Sequence, residues 1–479
     1  MRPRRVLMLQ LARLGDLVQT WPLLRRLQAA WPGAGLEMVC DAGLIPLCAL
    51  GPPVEQVHGL ETGFLAALAQ REPVAAGRRL GARLQELRAR GCEVAVNVNL
   101  SRLSLLLSHG LGLPVLGYQP LAGGREFGRS PWLAYVFALA HARRLNRLHV
   151  SDVFRHLAPA APEEPIPAAF PGPADGEPWV GLVPGTRHPK RTWPPVAFAR
   201  LISLVAAEMP VRFVLLGARA EQSLGEAIRR ELPESLRARL QDLMGKTGLR
   251  ELSGELTGLN LLISGDTGTL HLAAALGVPC LGLFFGPAQA WETGPYGAGH
   301  LVLQAEPPCH PCREGEPCPA PECLRLLTPE LVARVALSRL RGEPLGEVSM
   351  PPQVRLYETG RDGLGASLRG GHGHPPTLPD LIAGVYRRLA VRLLGLENGG
   401  PEREGLPVAL RSSLARLAEA VRGKDPALSP AERALLRPLQ AFRMEAGRQG
   451  ALQGRPELWE ELAQALISDF ADQLEILAG

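Results

Sequence analysis

Between positions 260 and 287 the chain reads NLLISGDTGTLHLAAALGVPCLGLFFGP. An apolar strand at 261–264 runs into Gly265-Asp266-Thr267-Gly268 and then directly into a helical pattern at 269–276. Asp266 and Thr267 are good N-cap types, and the two glycines let a ligand come close to the backbone. The first turn of such a helix leaves N–H groups unpaired, and together with the helix dipole they form a seat for phosphate or carboxylate. The chemistry this suits is holding a diphosphate. The same strand, turn and helix is also the plain crossover of any α/β protein, so the rest of the chain has to decide between the two.

Two further sets of residues could do chemistry. Cys309, Cys312, Cys318 and Cys323 read C-x2-C-x5-C-x4-C in a Pro/Gly-containing loop. Four thiolates on a short loop suit a tetrahedral structural zinc, while the wide second spacing leaves free thiols or redox-labile pairs as the alternative. Asp16 ends the loop 11–16 that follows the first strand, where it faces a ligand crevice or caps the helix that follows.

These residues need elements to position them. At 479 residues the chain suggests two or three domains, and 46% hydrophobic with 21% charged residues is the composition of a globular protein. Residues 1–17 begin like a signal peptide, but Gln10, Arg13 and Asp16 interrupt the apolar run, and 6–9 reads better as a buried strand. The longest apolar run, 272–285, is too short to span a bilayer and is broken by Gly277-Val278-Pro279. A cytoplasmic protein is expected, and disulfides are then unlikely to form. Residues 1–157 carry 19 Lys and Arg against 10 Asp and Glu, while the remainder carries 33 against 37. The front third therefore suits an acidic partner such as a phosphorylated lipid, an anionic membrane surface or nucleic acid, or is simply a solvated basic face.

The N-terminal third alternates strands (5–10, 36–40, 54–58, 93–98 and 114–118) with helical patterns, one of them at 17–30. Residues 158–178 are a Pro-rich linker. A second α/β series follows, with strands at 179–183, 211–216, 240–244 and 261–264 and helices at 195–207, 220–231, 249–257 and 329–340. The pattern predicts two doubly wound domains, 1–157 and 179–349, facing each other across a cleft with ligands off the strands' carboxyl ends. A linker at 350–379 then leads to a helical extension at 380–479, with helices at 380–397, 407–422, 430–446 and 456–477. The apolar stripe of 381–396 is core or a docking face for a membrane or a protein partner. The first βα turn lacks G-x-G-x-x-G, and no Walker A sequence is present, which disfavours NAD and P-loop chemistry.

Four segments now assemble into a resemblance: LARLGDLVQTWPLLRRL (11–27), VGLVPGTRHPKRTWP (180–194), VLLGARAE (214–221) with GKTGLREL (245–252), and SGDTGTLHLAAALGVP (264–279). Together they resemble glycosyltransferase family 9, the ADP-heptose:lipopolysaccharide heptosyltransferases, over about 4–340. The resemblance implies a GT-B fold of two Rossmann-like domains and an inverting, metal-independent sugar transfer with no cofactor. It implies a nucleotide-sugar donor, ADP-heptose, and an anionic glycolipid acceptor met in peripheral contact with the inner face of the cytoplasmic membrane, with no nucleic acid involved.

Residue by residue, the resemblance makes Asp16 the base that takes the acceptor hydroxyl's proton. Asp266, Thr267, Gly268, Thr269 and His271 match the family's D-[ST]-G-x-x-H element, which holds the donor; His271 either donates to a phosphate or braces the turn. Thr186, Lys190 and Arg191 fall in its P-G-[ST]…K-x-W-P segment. Here the usual Lys position holds Arg191, and Lys190 lies one residue earlier, so either cation could neutralise the leaving group. Glu221 matches the acidic residue that meets the ribose, and Lys246 and Thr247 lie near the nucleotide. Two other readings stay open: another nucleotide sugar with a protein acceptor such as flagellin or a capsule glycan, and a non-catalytic scaffold whose tail recruits a partner.

Overall fold

The computed structural model describes residues 2–121, 126–162, 168–169, 176–313, 315–318, 321–344, 350–370, 376–396, 408–424 and 427–478. Residues 163–167 and 170–175 of the expected first linker, and 371–375 of the second, lie outside the described residues. The chain forms two compact units: one comprises 1–13, 20–164 and 376–479, the other 14–19 and 165–375. The architecture is GT-B, two Rossmann-like α/β sheets with additional C-terminal helices.

The first unit is built on strands β1 (Arg5–Gln10), β2 (Gly35–Asp41), β3 (Gln56–Leu60), β4 (Val94–Asn97) and β5 (Val115–Gly117) in the order β3-β2-β1-β4-β5. All neighbours are parallel, so all five carboxyl ends share one edge. Leu7, Leu9, Val39, Ala95 and Leu107 form its core. A short hairpin, β6 (Gln119–Pro120) with β7 (Phe127–Gly128), follows β5.

The C-terminal helices Leu378–Leu393, Val408–Val421, Pro430–Leu435, Arg437–Gln453 and Pro456–Ala478 belong to this same unit. They are not a separate appendage. Ile382, Val385, Tyr386 and Leu389 are at most 1% exposed, so of the two readings of the apolar stripe these residues are core. Tyr135 donates to the Tyr386 carbonyl (2.5 Å), and Tyr386 donates to that of Leu435 (2.8 Å). Burying an aromatic body while its hydroxyl stays paired is what makes such a junction stable.

The second unit has strands β8 (Trp179–Val183), β9 (Arg212–Leu215), β10 (Leu240–Asp242), β11 (Leu261–Ser264), β12 (Cys280–Phe284), β13 (Leu301–Ala305), β14 (Val354–Arg361) and β15 (Ala366–Gly370). Their order is β10-β9-β8-β11-β12-β13-β14-β15. The pairs from β10 to β13 are parallel, and those of β13 with β14 and β14 with β15 are antiparallel. The expected linker at 350–379 is corrected: a hairpin there extends the sheet. Its buried positions, Val354, Leu356, Tyr357, Thr359 and Gly360, break the strict alternation at the exposed Glu358, and the Gly and Pro residues around the strand hid its pattern further.

The predicted helix at 17–30 is two helices, Leu14–Gln19 and Trp21–Ala30. Pro22 sits at N1/N2 of the second, where its missing N–H costs little, and it forces a new start instead of a continuous run. The Leu14–Gln19 helix is part of the second unit.

His300, next to β13, is fully buried, and among the described residues neither ring nitrogen has a hydrogen-bond partner. Burial, with the Arg339 charge adding to it, pushes its pKa from the ordinary 6.5 down to about 3. The native ring stays neutral while the unfolded one takes up a proton below pH 6.5, so stability falls as pH drops from about 6.5 toward about 3 and levels off below. His300→Leu is expected to remove about 2 kcal/mol of the stability difference between pH 7.5 and 5. Urea midpoints at the two pH values check it; an equal difference in both proteins would exclude His300 as the source.

Candidate functional site

In an open parallel sheet, ligands bind off the carboxyl ends where the strand order reverses. In the second unit that point lies between β8 and β11. The loop 184–193 leaves β8 and the turn 265–267 leaves β11, while 216–221 leaves β9 and 243–248 leaves β10. The expected donor residues thus come from four adjacent strand ends.

Thr267 is the N-cap of the Gly268–Ala275 helix, and its hydroxyl accepts from the Leu270 N–H at 3.2 Å. A second contact, 2.9 Å to the Ser264 hydroxyl, fixes its rotamer. The cap satisfies one of the orphan first-turn donors; those of Gly268 and Thr269 are the ones the turn does not itself satisfy.

Asp266, one residue before the cap, is a hub. Arg191 Nη1 donates to its Oδ2 at 2.8 Å, and His271 Nε2 lies 3.5 Å from Oδ1. The Asp266 side chain is 8% exposed and that of Arg191 21%. Burial pushes the Asp266 carboxyl up, but hydrogen bonds from His271 and Thr293 and the charges of His271 and Arg191 outweigh it, leaving the pKa below the usual carboxylate range. Asp266 is therefore ionised at neutral pH. Of the two candidate cations, Arg191 faces this cluster. Lys190 turns away, its Nζ donating to the carbonyls of Glu316 and Arg313.

Against this turn lies the Leu14–Gln19 helix, which carries Asp16 in its first turn. Because that helix begins at Leu14, Asp16 stands inside it and does not cap a helix at 17. Two glycines permit the approach. A Cβ on Gly15 would stand 2.8 Å from the His271 ring and 3.3 Å from Gly268 Cα, and one on Gly268 would stand 3.2 Å from the Gly15 nitrogen. Gln19 Nε2, one turn beyond Asp16, reaches His271 Nε2 at 3.3 Å. His271 is 7% exposed, and its Nδ1 has no hydrogen-bond partner among the described residues.

The remaining residues sit further out. Glu221 accepts from the Ala218 N–H at 2.8 Å, and its carboxylate lies over Gly185, where any Cβ would clash at 2.2 Å. Thr186 contacts Thr192 Oγ1 and the His188 carbonyl, both at 2.8 Å. Lys246 Nζ donates to the Asp242 carbonyl at 2.7 Å, and Thr247 follows it at the outer edge of the row.

The four cysteines line one cavity of about 310 Å³ together with Lys190 and Gly286. Burial pushes the Cys323 thiol up, and the thiols of Cys312, Cys309 and Cys318 add to it. Among the described residues no three His, Cys, Asp or Glu side chains converge as metal ligands. The thiols share a cavity without closing on one point.

In the first unit, Asn97 and Asn99 occupy the switch point between β1 and β4. Asn97 Nδ2 donates to the Tyr118 carbonyl at 2.8 Å, Asn99 Nδ2 to the Leu9 carbonyl at 2.7 Å, and the Leu11 N–H to Asn99 Oδ1 at 3.0 Å. The two amides thereby stitch together the exits of β1, β4 and β5, including the start of the loop that leads to Asp16. Sequence reasoning took this stretch as a plain strand; two asparagines in an otherwise apolar run were the signal. Asn99→Ala leaves two backbone groups unpaired, at about 1–3 kcal/mol each. It is expected to cut kcat by tenfold or more while donor affinity changes less than threefold; steady-state kinetics beside nucleotide titration reads both.

Residues 140–321 match the profile of glycosyltransferase family 9 (heptosyltransferase). The chain is 29% identical over 322 residues to lipopolysaccharide heptosyltransferase 1 of Pseudomonas aeruginosa, covering 64% of this chain and 86% of that protein. It is 25% identical over 317 residues to lipopolysaccharide heptosyltransferase 2 of Escherichia coli, covering 63% and 88%. Among solved structures, E. coli ADP-heptose lps heptosyltransferase II superposes with a TM-score of 0.51 at 20% identity, covering 71% of this chain and 99% of that one. That likeness is one of fold.

Proposed function

We propose that the chain, whose residues 140–321 match glycosyltransferase family 9 (heptosyltransferase), is a member of that family and transfers heptose from ADP-heptose to a lipopolysaccharide-type acceptor with inversion. The observation that carries the proposal is the arrangement in one unit of Arg191, Asp266 and His271 at a helix N-terminus, with the helix bearing Asp16 packed against it.

The chemistry follows from those groups. The acceptor hydroxyl attacks the anomeric carbon as its proton passes to the Asp16 carboxylate, and the bond from that carbon to the diphosphate oxygen breaks. Charge grows on the departing ADP, and Arg191 with the N–H groups of Gly268 and Thr269 meets it. Asp266 holds Arg191 in place, and sugar hydroxyls donate to its other lone pairs. Glu221 takes the ribose hydroxyls, with Thr186, Lys246 and Thr247 beside the nucleotide. These protein groups supply the base and the cations, so no cofactor enters the steps.

The acceptor is an anionic glycolipid reached from the cytoplasmic side of the inner membrane in peripheral contact. The basic excess of residues 1–157 supports this, and among the described residues no helix is long and apolar enough to cross a membrane. Another sugar with a protein or capsule acceptor is not favoured, since the matched relatives are heptosyltransferases. Nor is a scaffold, given the assembled Arg191–Asp266 cluster. A protein partner for the tail has little support once its stripe is buried. A structural zinc on Cys309, Cys312, Cys318 and Cys323 would need these thiols to close on one point, which among the described residues they do not do although they line one cavity; protein purified without chelator but free of zinc would end that reading.

A thermal-shift panel of nucleotide sugars tests the donor. A ligand at about 100 times its dissociation constant adds roughly 2.7 kcal/mol, so ADP-heptose should raise the midpoint where UDP- and GDP-sugars do not. A shift only with another nucleotide sugar would overturn the assignment.

A further inference from the structure

One feature of the first unit is unused by the proposed chemistry: a buried polar ladder between the Arg437–Gln453 helix and Arg129. Arg129 Nη1 donates to Glu445 Oε1 at 2.6 Å, with side chains only 10% and 5% exposed. Its backbone N–H donates to Gln449 Oε1 at 3.0 Å, and its carbonyl accepts from Gln453 Nε2 at 2.9 Å. The ladder is also tied along the helix, since Gln449 Nε2 donates to Glu445 Oε1 and Gln453 Nε2 to Gln449 Oε1, each at 2.8 Å. Glu445, Gln449 and Gln453 are spaced i, i+4, i+8, so they lie on one helix face. That face reads the guanidinium, the N–H and the carbonyl of a single residue. At the rim Arg448 pairs with Glu126 at 3.4 Å, and the Arg129 guanidinium lies 4.0 Å from the centre of the Phe137 ring.

A ladder of this kind is poor value for stability, because desolvating an ion pair and two amides offsets most of the gain; its attested use is to fix one register. The register fixed here is that of β7, which ends immediately before Arg129. β7 pairs with β6, and the Phe127 ring meets Tyr118 edge-on at 6.1 Å. Tyr118 is the residue whose carbonyl and N–H are bound by Asn97 at the exit of β4. The ladder therefore sets the backbone beside the carboxyl end of β5, in the row of strand ends where a doubly wound sheet binds its ligand.

We propose that the C-terminal helices are a brace for acceptor selection: Glu445, Gln449 and Gln453 are positioning residues that hold the β6–β7 strands in the register the glycolipid headgroup requires. This rests on the reading that the first unit takes the acceptor. It assigns the tail, absent from the sequence resemblance, to specificity and not to chemistry.

The test uses the full chain. Gln449→Met with Gln453→Met keeps length and volume but removes the bonds. The acceptor KM is expected to rise about tenfold, with kcat within threefold and the ADP-induced thermal shift unchanged. Hydrogen exchange at 126–130 should accelerate in step. Should the double variant not fold, Arg448→Glu carries the test. It sets like charges against Glu126 at the rim and against the ladder's own Glu445, whose Oε2 lies 3.8 Å from Arg448, is expected to raise the acceptor KM about threefold, and should be partly rescued by Glu126→Arg. Folded variants with the wild-type acceptor KM would overturn the brace alone. A wild-type protein that transfers to no glycolipid would overturn the acceptor reading and the brace together.

Discussion

Asp16→Asn is expected to lower kcat for transfer by about 10²–10⁴-fold, the usual range for losing a positioned general base. Asn keeps the shape and can still accept a hydrogen bond, but it cannot take the acceptor's proton. The donor site is built from other groups, so ADP-heptose affinity should stay within about twofold. Stability should fall by no more than about 1 kcal/mol, the contribution of a first-turn carboxylate to its helix. The helical position of Asp16 gives the result its edge. A first-turn carboxylate also favours its helix through the dipole, by about 0.3–1 kcal/mol. A purely structural Asp16 would therefore lower the midpoint slightly and leave kcat intact. Full transfer by folded Asp16→Asn would remove it as the base.

The second large effect is expected at Arg191. Arg191→Met withdraws the cation that meets the departing diphosphate and also strips Asp266 of its ion-pair partner. Loss of an electrostatic contact to the leaving group is worth about 10²–10³ in kcat. Stranding the Asp266 carboxylate costs further stability, up to about 3 kcal/mol for a pair that is partly open to solvent. Arg191→Met with Asp266→Asn should recover much of that stability but not the rate, which separates the two roles. Lys190→Met should leave kcat within about threefold, because Lys190 is engaged with the loop carbonyls of Arg313 and Glu316. Equal losses at both positions would mean that the two cations share the phosphate. The pH profile adds a check. The folded-state pKa of Asp266 is lowered, so its pairing is fully present above the ordinary carboxylate range and is lost only as pH falls through that lowered value. Acid loss of activity near neutrality must come from elsewhere.

Much of this was legible in the residues. The strand, polar turn and helix around Asp266 stand where the pattern placed them because the apolar run, the N-cap type and the glycines all specify one local structure. The first sheet and the parallel strands of the second followed from alternating strand and helix periods. What escaped was non-local. That Arg191 and not Lys190 faces Asp266 depends on which carbonyls the Cys loop offers to Lys190, and no spacing rule encodes that. The Gly15–Gly268 approach brings together residues 253 positions apart. Asn97 and Asn99 show their role only once three strand ends are adjacent, and the β14–β15 hairpin lay hidden in a stretch whose Gly and Pro content resembles a linker. The tail's helices were found, but their place in the first unit was not, because an amphipathic stripe states that a face is buried without stating against what.

The most direct measurement is a single incubation of the purified full chain with ADP-heptose and a heptose-deficient lipopolysaccharide acceptor, followed by mass analysis of the glycolipid and of the nucleotide. The expected result is release of ADP in step with a gain of one heptosyl residue by the acceptor, linked with inverted anomeric configuration, and neither product with Asp16→Asn. An unchanged acceptor and intact ADP-heptose, from protein whose melting profile shows it folded, would contradict the assignment.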